Sequence, residues 1–143
     1  MKASIRAALG GLAIAAALAE AAGPAVRVDG AWSRRAPKLD GSGNGAVYGT
    51  LVNPGASPDA LIAAKSDVAG IVEVHETYAE SGMSMMRAIE RIPVPAGGQV
   101  GLAPGGYHVM LLNLKRDLRP GEAFAVTFVF ERAGPVAVSA QVR

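Results

Sequence analysis

The 143-residue sequence contains no cysteine, and that absence closes several lines of function. Without thiols there is no disulfide framework, so stability must come from a packed core. There is also no thiolate for a blue-copper electron carrier or a thiol-disulfide oxidoreductase, and no residue to carry a thioether-linked lipid. Long hydrophobic runs are missing too. The uncharged stretch at 7–19 is thirteen residues of Ala, Leu, Gly and Ile, short of the roughly 20 that an apolar helix needs to cross a bilayer. Lys2 and Arg6 precede it and small residues at Ala17, Ala19 and Ala21 follow, which is the pattern of an export leader cut after Ala21. The reading predicts a signal peptide at 1–21 and one mature domain at 22–143, placed in the periplasm without stable membrane insertion. Clustered charge is lacking as well. Removing Lys2, Arg6 and Glu20 takes the net charge from +2 to +1, and the remaining basic residues are scattered or in short pairs such as Arg34-Arg35. Nucleic-acid and anionic-membrane binding both need more concentrated cations than this.

What is present is alternation. From Phe124 the chain places Phe124, Val126, Phe128 and Phe130 on one face and Ala125, Thr127, Val129 and Glu131 on the other, the two-residue period of a strand. Other strand candidates are 26–34, 46–53, 60–64, 71–78, 83–92, 99–102, 107–114 and 136–142. Glycine- and proline-rich turns separate them, among them 41–45, 93–98 and 103–106. Many short strands punctuated in this way predict an all-β fold, an antiparallel sandwich or barrel. The stretch 59–70 is compatible with a helical turn and stays open.

The chain has two histidines, His75 and His108, each in a strand candidate with methionine in a related place. His108 and Met110 are two apart and so emerge on one face, with Val109 and Leu111 turned to the other. The Pro104-Gly105-Gly106 turn places Tyr107 and His108 at a strand entrance near the sheet edge. Alternation groups His75 with Glu73. A turn at Ser81-Gly82 can bring His75 and Met86 onto neighbouring strands, with His108 and Met110 presented by a third. Two imidazoles and two thioethers form a soft, uncharged donor set that favours Cu(I) over harder divalent ions, while zinc ordinarily wants thiolate or carboxylate too. Taken singly, a strand histidine is more often a hydrogen-bonded residue and a lone methionine more often fills the core. Met83, Met85 and Met86 crowd together, and spacing alone does not choose among them. Alternation separates Met86 from the other two.

A resemblance, not spacing by itself, singles out one set: His75, ten residues, Met86, twenty-one residues, His108, one residue, Met110. This pattern resembles the ligand set of the PCu(A)C family of periplasmic copper chaperones. So do the words Val74-His75-Glu76-Thr77, Ala46-Val47-Tyr48 before Asn53, and Pro104-Gly105-Gly106-Tyr107-His108-Val109-Met110-Leu111, the likeness running from about 31 to 142. The resemblance implies a cupredoxin-like Greek-key β-sandwich and one Cu(I) ion per chain, held by His75, Met86, His108 and Met110. It also implies a monomer that delivers copper to the cytochrome c oxidase subunit carrying the CuA centre, or to a thiol-containing assembly factor. Two departures stand out. Glu76 follows the first histidine where some members have methionine, and the sequence stops at Arg143 without the His- and Met-rich tail of others.

Three rival readings use the same residues. Copper sequestration for tolerance needs the same site and no specific acceptor. A metal hydrolase with Glu73 or Glu76 as base is disfavoured because two histidines lack a third hard ligand, so no enzymatic activity is expected. A metal-free adhesion or assembly sandwich is separated from the others by metal analysis of the purified protein. Val109, Leu111 and Leu112 are expected to pack behind the site and fix the direction of its donors.

Overall fold

Phe124, Val126, Phe128 and Phe130 are all buried, whereas between them Ala125 is exposed and Thr127 and Val129 are half-buried. The alternation read from the sequence is therefore the inward face of a strand, and each of the four side chains gains about 1.5–3 kcal/mol on leaving water. A computed structural model describes residues 25–143; the expected leader at 1–21 and its cleavage point lie outside the described residues. The strands are β1 Arg27–Ser33, β2 Gly45–Asn53, β3 Asp59–Lys65, β4 Ala69–Glu80, β5 Met83–Ala88, β6 Ile92–Val94, β7 Gly98–Leu102, β8 Tyr107–Leu114, β9 Ala123–Phe130 and β10 Gly134–Val142. A single 3-10 turn at Leu39–Gly41 is the only helical element among the described residues. No helix among them is long and apolar enough to cross a membrane.

Hydrogen bonds join the strands in the order β5-β4-β8-β2-β1-β10-β9-β3-β6, with β7 added on β2. The sheet folds over so that β3 packs on β4 and one apolar core lies between the layers. This is the all-β sandwich that the sequence predicts, with one difference: β1 and β10 run parallel, so the sheet is mixed rather than wholly antiparallel. The parallel register pairs Trp32 with Gln141 and Ser33 with Val142. β1 reaches that partner through a bulge at Gly30, whose φ of 62° suits glycine, and the bulge increases the local bend.

One open stretch is resolved and one further expectation is corrected. The stretch 59–70 holds the strand expected at 60–64 as β3, then a turn and the first residues of β4, with no helix. Ala60, Leu61 and Ala64 are buried there, and the Asp59 carboxylate accepts the backbone N–H groups of Ala60, Arg132 and Ala133 at 2.8, 2.8 and 2.9 Å. Pairing with β9 and β6 thus overrides the helical preference of an Ala-rich segment. The candidate strand 83–92 divides in two. β5 pairs β4, the chain bends at 89–91, and β6 pairs β3 at the far edge of the sheet, where Pro93 needs no ladder donor.

Candidate functional site

The β4–β5 hairpin decides which methionine joins the histidines. Ser81 and Gly82 both have positive φ, 51° and 79°, the signature of a tight two-residue turn that matches strand twist. The turn pairs Glu80 with Met83, which sets Met86 opposite Thr77 and Ala88 opposite His75. Met86 therefore shares a face with His75. A slip of one residue would bring Met85 to that face instead. As it stands, Met83 and Met85 turn the other way, with Tyr78 and with Arg87, whose guanidinium lies 4.2 Å from the Tyr78 ring and bonds Glu76 at 2.7 Å.

On β8, Val109 and Leu111 are fully buried in the core, so His108 and Met110 occupy the outer face of the layer. β8 runs between β4 and β2 and is an interior strand, which corrects the expected place near the sheet edge. Leu112 also departs from expectation. It lies on the His108–Met110 face, half-buried, and the residues behind the site are Val74, Val109 and Leu111. His108 and His75 are direct cross-strand partners with ring centroids 5.6 Å apart, and Met110 sits opposite Glu73. His108, Met110 and Met86 line a hollow of about 340 Å³, with His75 beside it. The four residues singled out in the sequence thus meet on one face, contributed by three adjacent strands.

The hydrogen bonding of the imidazoles defines which nitrogens face outward. Gly105 has a φ of 85°, and the 103–106 turn closes with Gly106 N–H donating to the Ala103 carbonyl at 2.9 Å. The Gly106 carbonyl accepts from the Thr77 N–H at 3.1 Å and from His108 Nδ1 at 3.1 Å. With Nδ1 as the donor, His108 presents Nε2 as a bare lone pair. His75 Nε2 lies 3.4 Å from a Glu73 carboxylate oxygen, a long contact that makes this nitrogen the protonated one and leaves Nδ1 open. His75 Nδ1 and His108 Nε2 are both buried and have no hydrogen-bond partner among the described residues. An unpaired buried acceptor costs roughly 1–3 kcal/mol, so two together mark a place prepared for a ligand. Burial lowers the His108 pKa below that of an ordinary imidazole; the Gly106 carbonyl opposes this and His75 adds to it. The ring is therefore kept neutral, as ligation requires.

Such a set can hold a soft cation. Among the described residues no three of His, Cys, Asp and Glu gather as a hard-ion cage would need. Sequence reasoning missed two contributors, Gly106 and Tyr48, and two residues at the margin, Arg34 and Arg35. The Gly106 carbonyl is a backbone atom without a sequence signal. Tyr48, 6.4 Å from the His108 ring and 4.8 Å from Trp32 between centroids, comes from β2. Arg34 and Arg35, in sequence no more than a short basic pair, border the hollow where the chain leaves β1.

If the sulfurs act as their placement implies, Met86→Leu and Met110→Leu should each weaken soft-metal binding by about tenfold or more, while Met83→Leu and Met85→Leu leave it within about twofold. Leucine keeps the volume nearly constant, so packing is preserved. Competition titration of the four variants with a Cu(I) chelator reads this, and equal losses at Met85 and Met86 would mean that the hairpin register is wrong.

Together these features define a cupredoxin-like β-sandwich that carries a two-histidine, two-methionine site on its outer face. The chain belongs to the LpqE-like, or PCuAC, family: the family model described as "Putative lipoprotein LpqE-like" matches residues 26–142. The sequence is 37% identical over 116 residues to "Putative lipoprotein Lxx21020" of Leifsonia xyli subsp. xyli, spanning 79% of this chain and 68% of that one. It is also similar to the protein RP573 of Rickettsia prowazekii, 32% identical over 102 residues, or 70% of this chain and 56% of that one. Among solved structures, the copper-bound PCuAC domain from PmoF2 is 32% identical with a TM-score of 0.68, covering 84% of this chain and 93% of that domain. The Cu(I) form of DR1885 from Deinococcus radiodurans has the same identity and TM-score, covering 90% of this chain and 85% of that one.

Proposed function

We propose that the chain is an exported metallochaperone that binds one Cu(I) ion through His75 Nδ1, Met86, His108 Nε2 and Met110, and hands it on by ligand exchange. The observation that carries this reading is the pair of buried, unpartnered imidazole nitrogens beside a hollow lined by Met86 and Met110. All four donors are neutral. A site without thiolate holds Cu(I) less tightly than a thiolate acceptor does, so transfer to a thiol-bearing partner runs downhill. Solved relatives named as copper-bound and Cu(I) forms support the choice of metal. The acceptor under this proposal is the cytochrome c oxidase subunit carrying the CuA centre, or its thiol-containing assembly factor, and the working compartment is the periplasm. No catalytic step is involved.

A strain lacking the gene tests delivery. Oxidase activity should fall severalfold at low copper and recover when copper is added, with copper tolerance unchanged. Normal oxidase activity combined with heightened copper sensitivity would replace delivery by sequestration.

A further inference from the structure

Arg34 and Arg35 are exposed at the margin of the hollow that Met86, His108 and Met110 line, and no carboxylate is among the lining residues. Among the described residues neither arginine has an ion-pair partner, although Arg27, Arg87, Arg91 and Arg119 are each paired with a carboxylate. A third guanidinium lies close by. Arg143 stacks over Trp32 at 4.1 Å, and Trp32 packs against Tyr48, which itself lines the hollow. Glu73, on the same face as His75, is turned to that ring, and Asp117, which shares a second hollow with Arg35, accepts from the Lys38 backbone N–H and the Arg119 guanidinium. Because the four proposed ligands are uncharged, a bound Cu(I) keeps its positive charge and adds to that of the margin. Met86, 59% exposed on the edge strand β5, is the donor that an incoming acceptor reaches first.

We propose that the Arg34–Arg35 margin is the docking surface for a copper acceptor whose thiol ligands are flanked by carboxylates. This rests on the Cu(I) reading above. Complementary charge raises the encounter rate and sets orientation, and like charge rejects other partners. The arginines act at the moment of transfer and take no part in holding the ion.

Two synthetic peptides test the idea, each with the same pair of cysteines, one flanked by glutamates and one by lysines. Transfer from the Cu(I)-loaded chain is followed by stopped flow, and the ratio of rates between protein variants cancels each peptide's own thiol reactivity. At low salt the wild type should prefer the glutamate peptide by about tenfold or more. Arg34→Glu combined with Arg35→Glu should reverse the preference, the corresponding double Lys variant should keep it, and high salt should erase it. Cu(I) affinity should stay within about twofold throughout. If the glutamates distort the hollow, Arg34→Gln with Arg35→Gln should still abolish the preference. Unchanged preference in the charge-altered variants, or equal slowing toward both peptides, would overturn the docking role while leaving Cu(I) binding in place. Failure of the wild type to load Cu(I) is a different result: it removes the proposed function at the first step, and this inference with it.

Discussion

His108→Asn is expected to reduce Cu(I) affinity by more than about 100-fold, because losing even an outer partner of a metal ligand costs 10–100-fold and here a ligand itself is lost. Asparagine suits the test. Its amide nitrogen can replace Nδ1 as donor to the Gly106 carbonyl, which also holds the Thr77 N–H, so the 103–106 turn keeps its hydrogen bonds. Only the Nε2 lone pair disappears. Chelator competition measures the loss, and circular dichroism checks that the sandwich is intact. An affinity within threefold of wild type would show that His108 is a buried structural residue and that copper, if bound, sits elsewhere.

The pH dependence of binding should be large and displaced to acid. Thioethers do not titrate in water, so protons compete with copper only at imidazole, whose reference pKa is about 6.5. Burial is the main reason that the folded chain protonates His108 less readily than an unfolded one would. In a His75→Asn variant, where His108 is the single imidazole left, log affinity should be flat above 6.5 and begin its one-proton fall below it. The wild type should approach a slope of two protons per ion once both rings compete. Stability of the metal-free chain follows the same sign. The contribution of neutral His108 is complete above about 6.5 and is lost as pH falls through the lowered folded value. A His75→Asn limb that starts above 6.5 would mean that the ring is more exposed to water than its surroundings indicate.

Much of the site is legible in the amino-acid sequence because strand alternation is strict. The two-residue spacing of His108 and Met110, and the separation of Met86 from Met83 and Met85, both survive in the sheet. The Ser81-Gly82 turn makes the hairpin register readable, since two positive-φ positions leave little freedom in how β5 meets β4. The inner face of β9 is equally plain. What the sequence hides is set by long-range pairing. Nothing local indicates that β1 and β10, at opposite ends of the domain, lie side by side and parallel. For the same reason Arg34, Arg35 and Tyr48 give no sign that they border the histidines, because β2 is placed beside β8 only by the completed sheet. The candidate strand 83–92 is too long because Ile89 continues the apolar pattern across the bend that separates β5 from β6. Alternation puts Glu73 on the correct face, but its residue type suggests a catalytic base, whereas the fold makes it the group nearest the His75 ring.

The central claim is a four-donor Cu(I) site of two imidazoles and two thioethers, and X-ray absorption at the copper edge of the loaded protein tests it most directly. The account predicts reduced copper with two nitrogen and two sulfur neighbours in the wild type, the nitrogens showing the outer-shell scattering of imidazole rings. It further predicts one sulfur fewer in Met86→Leu and one nitrogen fewer in His108→Asn. A first shell of nitrogen and oxygen without sulfur, or a shell unchanged by either substitution, would contradict it.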